Sequence, residues 1–502
     1  MYTSPVAVRV RFAPSPTGRL HVGNVRTALY NWLFARQKEG VLLLRIEDTD
    51  GSRSEGQFEK QLKDDLEWFG LDWSEGVDVG GPHAPYRQTE RLELYQHHAR
   101  QLLSDGKAYF CFCSSQELEE ERRKSAAAEL PFQYSGRCRA IPSQAAKRRT
   151  RAGEKAVLRL RVREGRITFR DMVFGPLEVA CSEIGDFVLL RSDGTAQYNF
   201  ACALDDYLMQ ITDVIRGEGH ISNTYRQILV YEALGFEMPR FVHLSTILGK
   251  DGRKLSKRHG ASSLQEFCRA GYLPQAMANY LAMLGWAPTE AAGEILSIDE
   301  LVGVFDLSRV NRSPATFDVD KLNWVNRSHL KMLDRTGLIE GVLPYLQEQG
   351  WILTEPTPVI RDWIGDISQT LLKYLDKFED VVAHAKLIFD FNPEENLARE
   401  EVKQALAEDG AKEVIRELNN RLEQAEILDV EGYRELIAQV KQATGQKGKQ
   451  LFHPVRVALT ARTVGPELDQ LVLILERGQG LDLPVKILGV RERVQSVVEF
   501  LR

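Results

Sequence analysis

Cysteine is scarce here: six residues in a chain of 502, too few and too scattered for a disulfide framework, which fits a reducing compartment. Long apolar runs are missing as well. The stretch Leu471 to Leu475 falls far short of the roughly 20 residues that span a bilayer. The opening M-Y-T-S-P-V has neither a basic region nor an extended apolar core, so no signal peptide is expected, and the reading is a soluble cytoplasmic protein with no membrane contact. There is also no excess of positive charge, since 65 Lys and Arg face 71 Asp and Glu for a net −6. A nucleic-acid partner would therefore have to be met by local basic faces. No internal repeat or low-complexity segment stands out. A phosphate-binding P-loop and a G-x-G-x-x-G turn are both absent from the first strand–helix junction.

What is present is organised around Arg11 to Asn24, R-F-A-P-S-P-T-G-R-L-H-V-G-N. Ahead of it, Val6, Val8, Val10 and Phe12 alternate with Ala7, Arg9 and Arg11, as in a strand with one apolar face. Behind it, Val25, Leu29, Trp32 and Leu33 recur at helical spacing, predicting an amphipathic helix over 22–38. The short run V-L-L-L-R-I from Val41 to Ile46 then reads as a strand buried on both faces. This is a βαβ unit, and its first loop lies where open α/β sheets bind ligands. His21 at the helix start can donate to a phosphate oxygen, and Gly23 lets a flat base approach the backbone. The alternative is a stiff loop carrying a solvent-facing His. Glu47 in the acidic E-D-T-D after the second strand can face a ligand amine, with the aspartates capping the helix expected over 57–69.

The motif P-S-P-T-G-x-L-H-V-G-N resembles the first signature of the class I aminoacyl-tRNA synthetases, in the form shared by the glutamyl and glutaminyl enzymes. Lys254 to Arg258, K-L-S-K-R, resembles the mobile lysine loop of that class and comes in the right order. The fold implied is a Rossmann-like α/β nucleotide-binding domain with an α+β insertion, followed by all-α C-terminal domains. On that pattern residues 1–104 and 196–260 form the two catalytic halves, and 105–195 the insertion that grips the tRNA acceptor end. Helical domains then follow over 261–330 for the stem, and over 331–388 and 389–502 for the anticodon. From Ser262 onward the apolar spacing is almost wholly helical, as in bacterial glutamyl enzymes; glutaminyl enzymes generally carry β-barrels there. A glutaminyl enzyme or a related nucleotidyltransferase remains the rival reading.

The reaction implied joins L-glutamate to AMP from ATP with Mg²⁺, then moves the glutamyl group to the 3′ end of tRNA(Glu). By resemblance, His21, Lys254 and Lys257 stabilise the developing phosphate charge, with Thr17 and Gly23 around the nucleotide. Arg11 pairs with the side-chain carboxylate, assisted by Tyr198. Arg216 holds the α-carboxylate, and Ala13, Ser15 and Glu47 surround the amino group. Tyr198 and Arg216 are expected on strands, and Cys202 stands where some relatives have an Asn near the side-chain pocket. A monomer is expected.

Two stretches leave alternatives open. Cys111-x-Cys113 followed by Tyr134-x-x-x-Cys138 resembles a zinc site of some glutamyl-type enzymes, with Tyr134 or water as fourth ligand; a reduced metal-free cluster is the other reading. Lys441 to Arg456 mixes basic residues with Phe452 and His453, suited to binding a single-stranded RNA loop; a basic interhelical turn with no ligand is the other reading. The family's Arg that tells the glutamate from the glutamine anticodon falls nearest Gly365, which implies an enzyme that also charges tRNA(Gln). Otherwise Gly365 is a helix breaker beside the real reader.

Overall fold

The computed structural model describes residues 7–16, 18–49, 56–129, 132–256, 263–289, 291, 293–424 and 428–501. The chain forms two compact units, Met1–Phe267 with Met277–Val319, and Cys268–Ala276 with Asp320–Arg502.

The first unit begins with β1 (Arg9–Phe12), α1 (Val22–Gln37), β2 (Val41–Leu44) and β3 (Glu75–Gly76). These strands are parallel in the order β1-β2-β3, with Arg9 opposite Val41 and Leu43 opposite Glu75. There follow β4 (Ala108–Cys111), β5 (Val157–Leu160), β6 (Arg166–Asp171), β7 (Gly175–Ala180) and β8 (Val188–Leu190). Strands β4, β5 and β8 make a separate antiparallel sheet. The hairpin β6–β7, in contrast, joins a sheet with the later strands. Those come after α2 (Tyr198–Leu208): β9 (Asp213–Gly217), α3 (Ile221–Leu234) and β10 (Arg240–Leu244), with β10 parallel to both β9 and β6. The two parallel sheets meet between β1 and β9, where Thr212 N–H donates to Arg9 O and Arg9 N–H to Thr212 Oγ1, both at 2.9 Å.

Several expectations change in detail. Helix α1 is not amphipathic but buried around most of its circumference, including Arg26, Tyr30 and Asn31. It tolerates those polar side chains because each reaches a backbone carbonyl: Arg26 to Leu284 and Ser245, Tyr30 to Ala282 and Leu284, Asn31 to Ile215. Tyr198 opens a helix and is not on a strand. The run Y-N-F-A-C-A-L looks strand-like because Phe200 to Leu204 are all buried, which hides the helical period. Asp48 caps the turn at Thr89, by N–H at 2.9 Å and Oγ1 at 2.6 Å, instead of the helix Gly56–Phe69; Asp50 lies outside the described residues.

The second unit is helical around one continuous core running from Leu330 to Val497. Within it, α4 (Arg335–Glu348) is capped by Asp334, and α5 (Pro358–Leu371) by Thr357 with Pro358 at its first position. Helix α6 (Leu468–Gln479) packs on α5, where Trp363 is fully buried and donates Nε1 to Ile474 O at 2.8 Å. The basic stretch Lys441 to Arg456 spans two helix ends and the turn between them: Lys449–Thr460 carries Phe452, half exposed, and His453, and Gly445–Gly448 forms the turn.

Candidate active site

A cavity of about 670 Å³ opens at the ends of β1, β2 and β9 and is lined by Arg11, Ala13, Ser15, His21, Glu47, Tyr198, Arg216 and His220, among others. A second, of about 900 Å³, shares His21, Asn24, Thr27 and His220, and adds Gly23, Glu218 and Lys254. The structure thus brings together every expected site residue of the catalytic domain that it describes. Thr17 and Lys257 lie outside the described residues.

Helix α1 follows His21, whose backbone is extended and whose side chain makes no capping hydrogen bond; Asn24 N–H returns to His21 O, and the N–H groups ahead of it have no intrahelical partner and suit an anionic ligand. Nothing lies within 4 Å of where a Cβ on Gly23 would sit, so the floor of the second cavity is open there. The bridge between Leu248 and Lys254 pins the start of the basic loop beside it.

Arg11 is 4% exposed and embedded in charge. Its Nε donates to Asp206 Oδ1 at 3.0 Å, Nη2 to Asp206 Oδ2 at 3.4 Å and Nη1 to Ile215 O at 3.5 Å. Asp206 also meets Arg45 Nη1 at 2.8 Å, and Arg45 reaches Glu47 at 2.9 Å. Asp205 takes Arg91 at 2.6 Å, with Gln88 and Tyr95 on its other oxygen at 2.9 and 2.8 Å. Arginines 11, 45 and 91 therefore balance carboxylates 47, 205 and 206. Burial alone would raise the Asp206 carboxyl, but Arg11 and Arg45 hold it below its ordinary value. Glu47 goes the other way: burial raises it, and its one close cation, Arg45, does not fully compensate.

Arg216, 5% exposed, stands differently. Nη2 donates to Thr224 Oγ1 and Gln227 Oε1, both at 2.7 Å, and Nε to His243 Nε2 at 3.3 Å. Nη1 is buried with no partner, and among the described residues Arg216 makes no ion pair. Beside it, Tyr198 Oη lies 3.1 Å from His220 Nδ1. Burial and the nearby Arg216 and Arg11 push His220 down to about 4, so it is neutral and Nδ1 accepts from the phenol.

Sequence reasoning missed Arg45, Asp205, Asp206, His220 and His243. The signal was there for three of them. A lone Arg in V-L-L-L-R-I and two acids ending an apolar helical run are charges that burial permits only in pairs.

At the end of β4, the Sγ atoms of Cys111, Cys113 and Cys138 lie within 4.8 Å of one another. Tyr134 Oη is 3.4 Å from Cys111 Sγ and 3.5 Å from Cys113 Sγ, and the Cys113 and Cys138 sulfurs are 3.6 Å apart. Ligand atoms around a tetrahedral zinc, with bonds near 2.3 Å to sulfur and 2.0 Å to oxygen, are separated by about 3.5–3.8 Å, so the cluster fits that ion. Arg137 Nη2 donates to Cys113 Sγ at 3.5 Å.

Residues 7–324 match the family described as tRNA synthetases class I (E and Q), catalytic domain, and residues 337–481 match an anticodon binding domain. The chain is 43% identical to a glutamate–tRNA ligase 1 of Caldicellulosiruptor saccharolyticus, over 93% of this chain and 96% of that one. It is 41% identical to a glutamate–tRNA ligase of a Sulfurihydrogenibium species, over 98% of both. A crystal structure of a glutamate tRNA ligase from Elizabethkingia meningosepticum, in complex with its amino acid, superposes with a TM-score of 0.88 at 30% identity, covering 99% of this chain and all of that one. These likenesses place the chain in the class I tRNA synthetases of the E and Q group.

Proposed function

We propose that the chain is a glutamate–tRNA ligase, which activates L-glutamate with ATP and passes the glutamyl group to the 3′ end of tRNA(Glu). The observation that carries the choice of amino acid is the pair of buried guanidiniums, Arg11 and Arg216, on one cavity with Glu47. A dicarboxylic amino acid has two carboxylates and one ammonium, and the buried charges lining the cavity are two cations and one acid; Arg19 and Glu266, also on its wall, are not buried. Asp206 and the Ile215 carbonyl take three of the five N–H groups of Arg11, leaving two for the side-chain carboxylate, with Tyr198 alongside. The unpartnered Nη1 of Arg216 suits the α-carboxylate, and Glu47, with Ala13 and Ser15, the ammonium.

The α-carboxylate oxygen attacks the α-phosphorus of ATP, and pyrophosphate leaves with the electron pair of the broken P–O bond. The charge that develops is on phosphate oxygens, so positioned donors serve better than acid–base groups. His21, the free N–H groups of α1 and Lys254 border the cavity where those oxygens would lie, with Mg²⁺ accompanying the ATP. Thr17 and Lys257 complete the set on the sequence motif. A terminal ribose hydroxyl of tRNA then attacks the acyl carbon and AMP leaves. ATP–pyrophosphate exchange with each amino acid, with and without tRNA, tests this: glutamate alone should support exchange. Exchange driven by glutamine at an equal rate would overturn it.

Zinc held by Cys111, Cys113, Cys138 and Tyr134 would clamp the inserted sheet and take no part in the transfer. Metal analysis should give one zinc per chain, lost in Cys111→Ser. Full zinc in that variant would place the ion elsewhere.

A relaxed choice of tRNA is favoured by Gly365. It is no helix breaker: it sits inside α5, buried, and a Cβ there would come within 2.5 Å of the Arg335 guanidinium carbon. Arg335 is committed within the protein, to Gln369 at 2.8 Å, Asp362 at 2.9 Å and Asp366 at 2.7 Å. No side chain at 365 can reject a base, and the guanidinium over it is tied down. The chain should therefore also glutamylate tRNA(Gln). A preference for tRNA(Glu) above about 100-fold, roughly 2.7 kcal/mol, in side-by-side aminoacylation would rule that out.

A further inference from the structure

Arg216 is aimed by residues that lie outside the cavity. Behind it, His243 on β10 is fully buried, and so is Asp171 at the end of β6. An arginine Nε–H can only donate, so His243 Nε2, 3.3 Å away, must accept. The ring proton is then on Nδ1, which donates to Asp171 Oδ2 at 2.7 Å. Asp171 is itself fixed. Oδ2 also accepts from His243 N–H at 3.1 Å, and Oδ1 accepts from the backbone of Val173 and Phe174, both at 2.9 Å. Thr224, which accepts from Arg216 Nη2, has its hydroxyl 3.0 Å from the same His243 nitrogen and 3.1 Å from His220 O, and its single proton goes to one of these two acceptors.

We propose that Asp171 and His243 are positioning residues: the carboxylate fixes the imidazole tautomer, and the imidazole fixes the guanidinium plane so that Nη1 of Arg216 faces the substrate carboxylate. The proposal rests on the reading of Arg216 as the α-carboxylate's partner. Its physical basis is the wrong-tautomer problem. A ring protonated on Nε2 would set N–H against N–H at Arg216, and the cation would swing from its line. Asp171 thus reaches Arg216 only through a neutral ring. Burial, together with Arg216, holds His243 below its ordinary value and keeps it neutral. The hairpin β6–β7, within the inserted stretch, therefore contributes a residue to the amino-acid site without touching the substrate.

The test is pyrophosphate exchange on full-length His243→Leu and His243→Gln. Glutamine can place an oxygen near the Nε2 position and still accept from Arg216, whereas leucine cannot. Loss of an accepted hydrogen bond from a charged donor should raise the KM for glutamate about tenfold or more in His243→Leu, with the KM for ATP unchanged, and His243→Gln should recover most of it. Equal losses in the two variants, or equal rises in both KM values, would overturn the proposal in favour of plain packing. A variant that does not fold leaves a second measurement on the unaltered enzyme. Histidine ¹⁵N spectra, with His243 assigned by its loss in His243→Gln, should show a neutral Nδ1–H ring, and an Nε2–H ring contradicts the proposal. Arg216→Gln run alongside separates the two readings. If it keeps the wild-type KM for glutamate, the assignment of Arg216 falls and the relay with it. If it loses glutamate use while His243→Leu does not, only the relay falls.

Discussion

Arg11 and Arg216 border the same cavity and are almost equally buried, at 4% and 5% exposure, yet they sit in opposite electrostatic settings. Arg11 belongs to a closed set in which three arginines meet three carboxylates. Arg216 has neutral acceptors only, and one buried nitrogen with none. A buried cation already paired is part of the fold; one left unpaired has its desolvation offset only when an anion arrives. The difference predicts that the two residues fail differently when replaced.

Activity should suffer most. Both Arg11→Gln and Arg216→Gln should lower kcat/KM for glutamate by about 2–5 kcal/mol, as when one partner of a buried charge pair is removed. Steady-state exchange assays read this directly, and an unchanged value in either variant removes that residue from the pocket. Stability should separate them. Arg11→Gln leaves Asp206 with Arg45 alone and should cost up to about 3 kcal/mol in urea unfolding, whereas Arg216→Gln should cost little or even stabilise the free protein.

Asp206→Asn sharpens the same contrast. It strips Arg11 and Arg45 of their shared carboxylate and should destabilise by about 3–5 kcal/mol at pH 7. Because the folded carboxyl lies below its ordinary value, its contribution is complete above the unfolded value and is lost as the pH falls through the folded one. The gap between wild type and Asp206→Asn should therefore close below pH about 4. A gap that widens on acidification would mean the pair is not what holds the site.

Smaller effects follow at Glu47 and Gly365. Glu47 is raised in the free protein, so an arriving ammonium should lower it again and release protons on binding at a pH where the free carboxyl holds its proton. Titration calorimetry in two buffers of different ionisation enthalpy detects that; proton uptake would contradict the role. Gly365→Ala pushes on Arg335 and should cost only about 1 kcal/mol, since its ion pairs are partly exposed. A loss of several kcal/mol on thermal melting would show a tighter core there.

The strand, loop and helix around His21 were legible in the chain because fourteen residues combine a strand period, two prolines and a helix start, whereas the residues expected around a ligand came from the resemblance. The helical second half was legible for the same reason, its apolar spacing being regular from Val414 to Leu422 and beyond. Tyr198 was misplaced because α2 is buried almost all round, and a segment with no polar face carries no period to read. Asp171 and His243 were invisible for a different reason: they are 72 residues apart, and only the pairing of β6 with β10 brings them together. Arg335 over Gly365 is the same case, a contact between two helices of which the sequence shows only the absent side chain.

The division of labour between the two arginines is tested most directly with 4-aminobutyrate, which is glutamate without its α-carboxylate. Binding of both ligands is measured calorimetrically to wild type, Arg216→Gln and Arg11→Gln. Wild type should favour glutamate strongly. The preference should collapse to near unity in Arg216→Gln and persist in Arg11→Gln, where both ligands weaken alike. A preference that survives in Arg216→Gln, or vanishes in Arg11→Gln, would contradict the assignment.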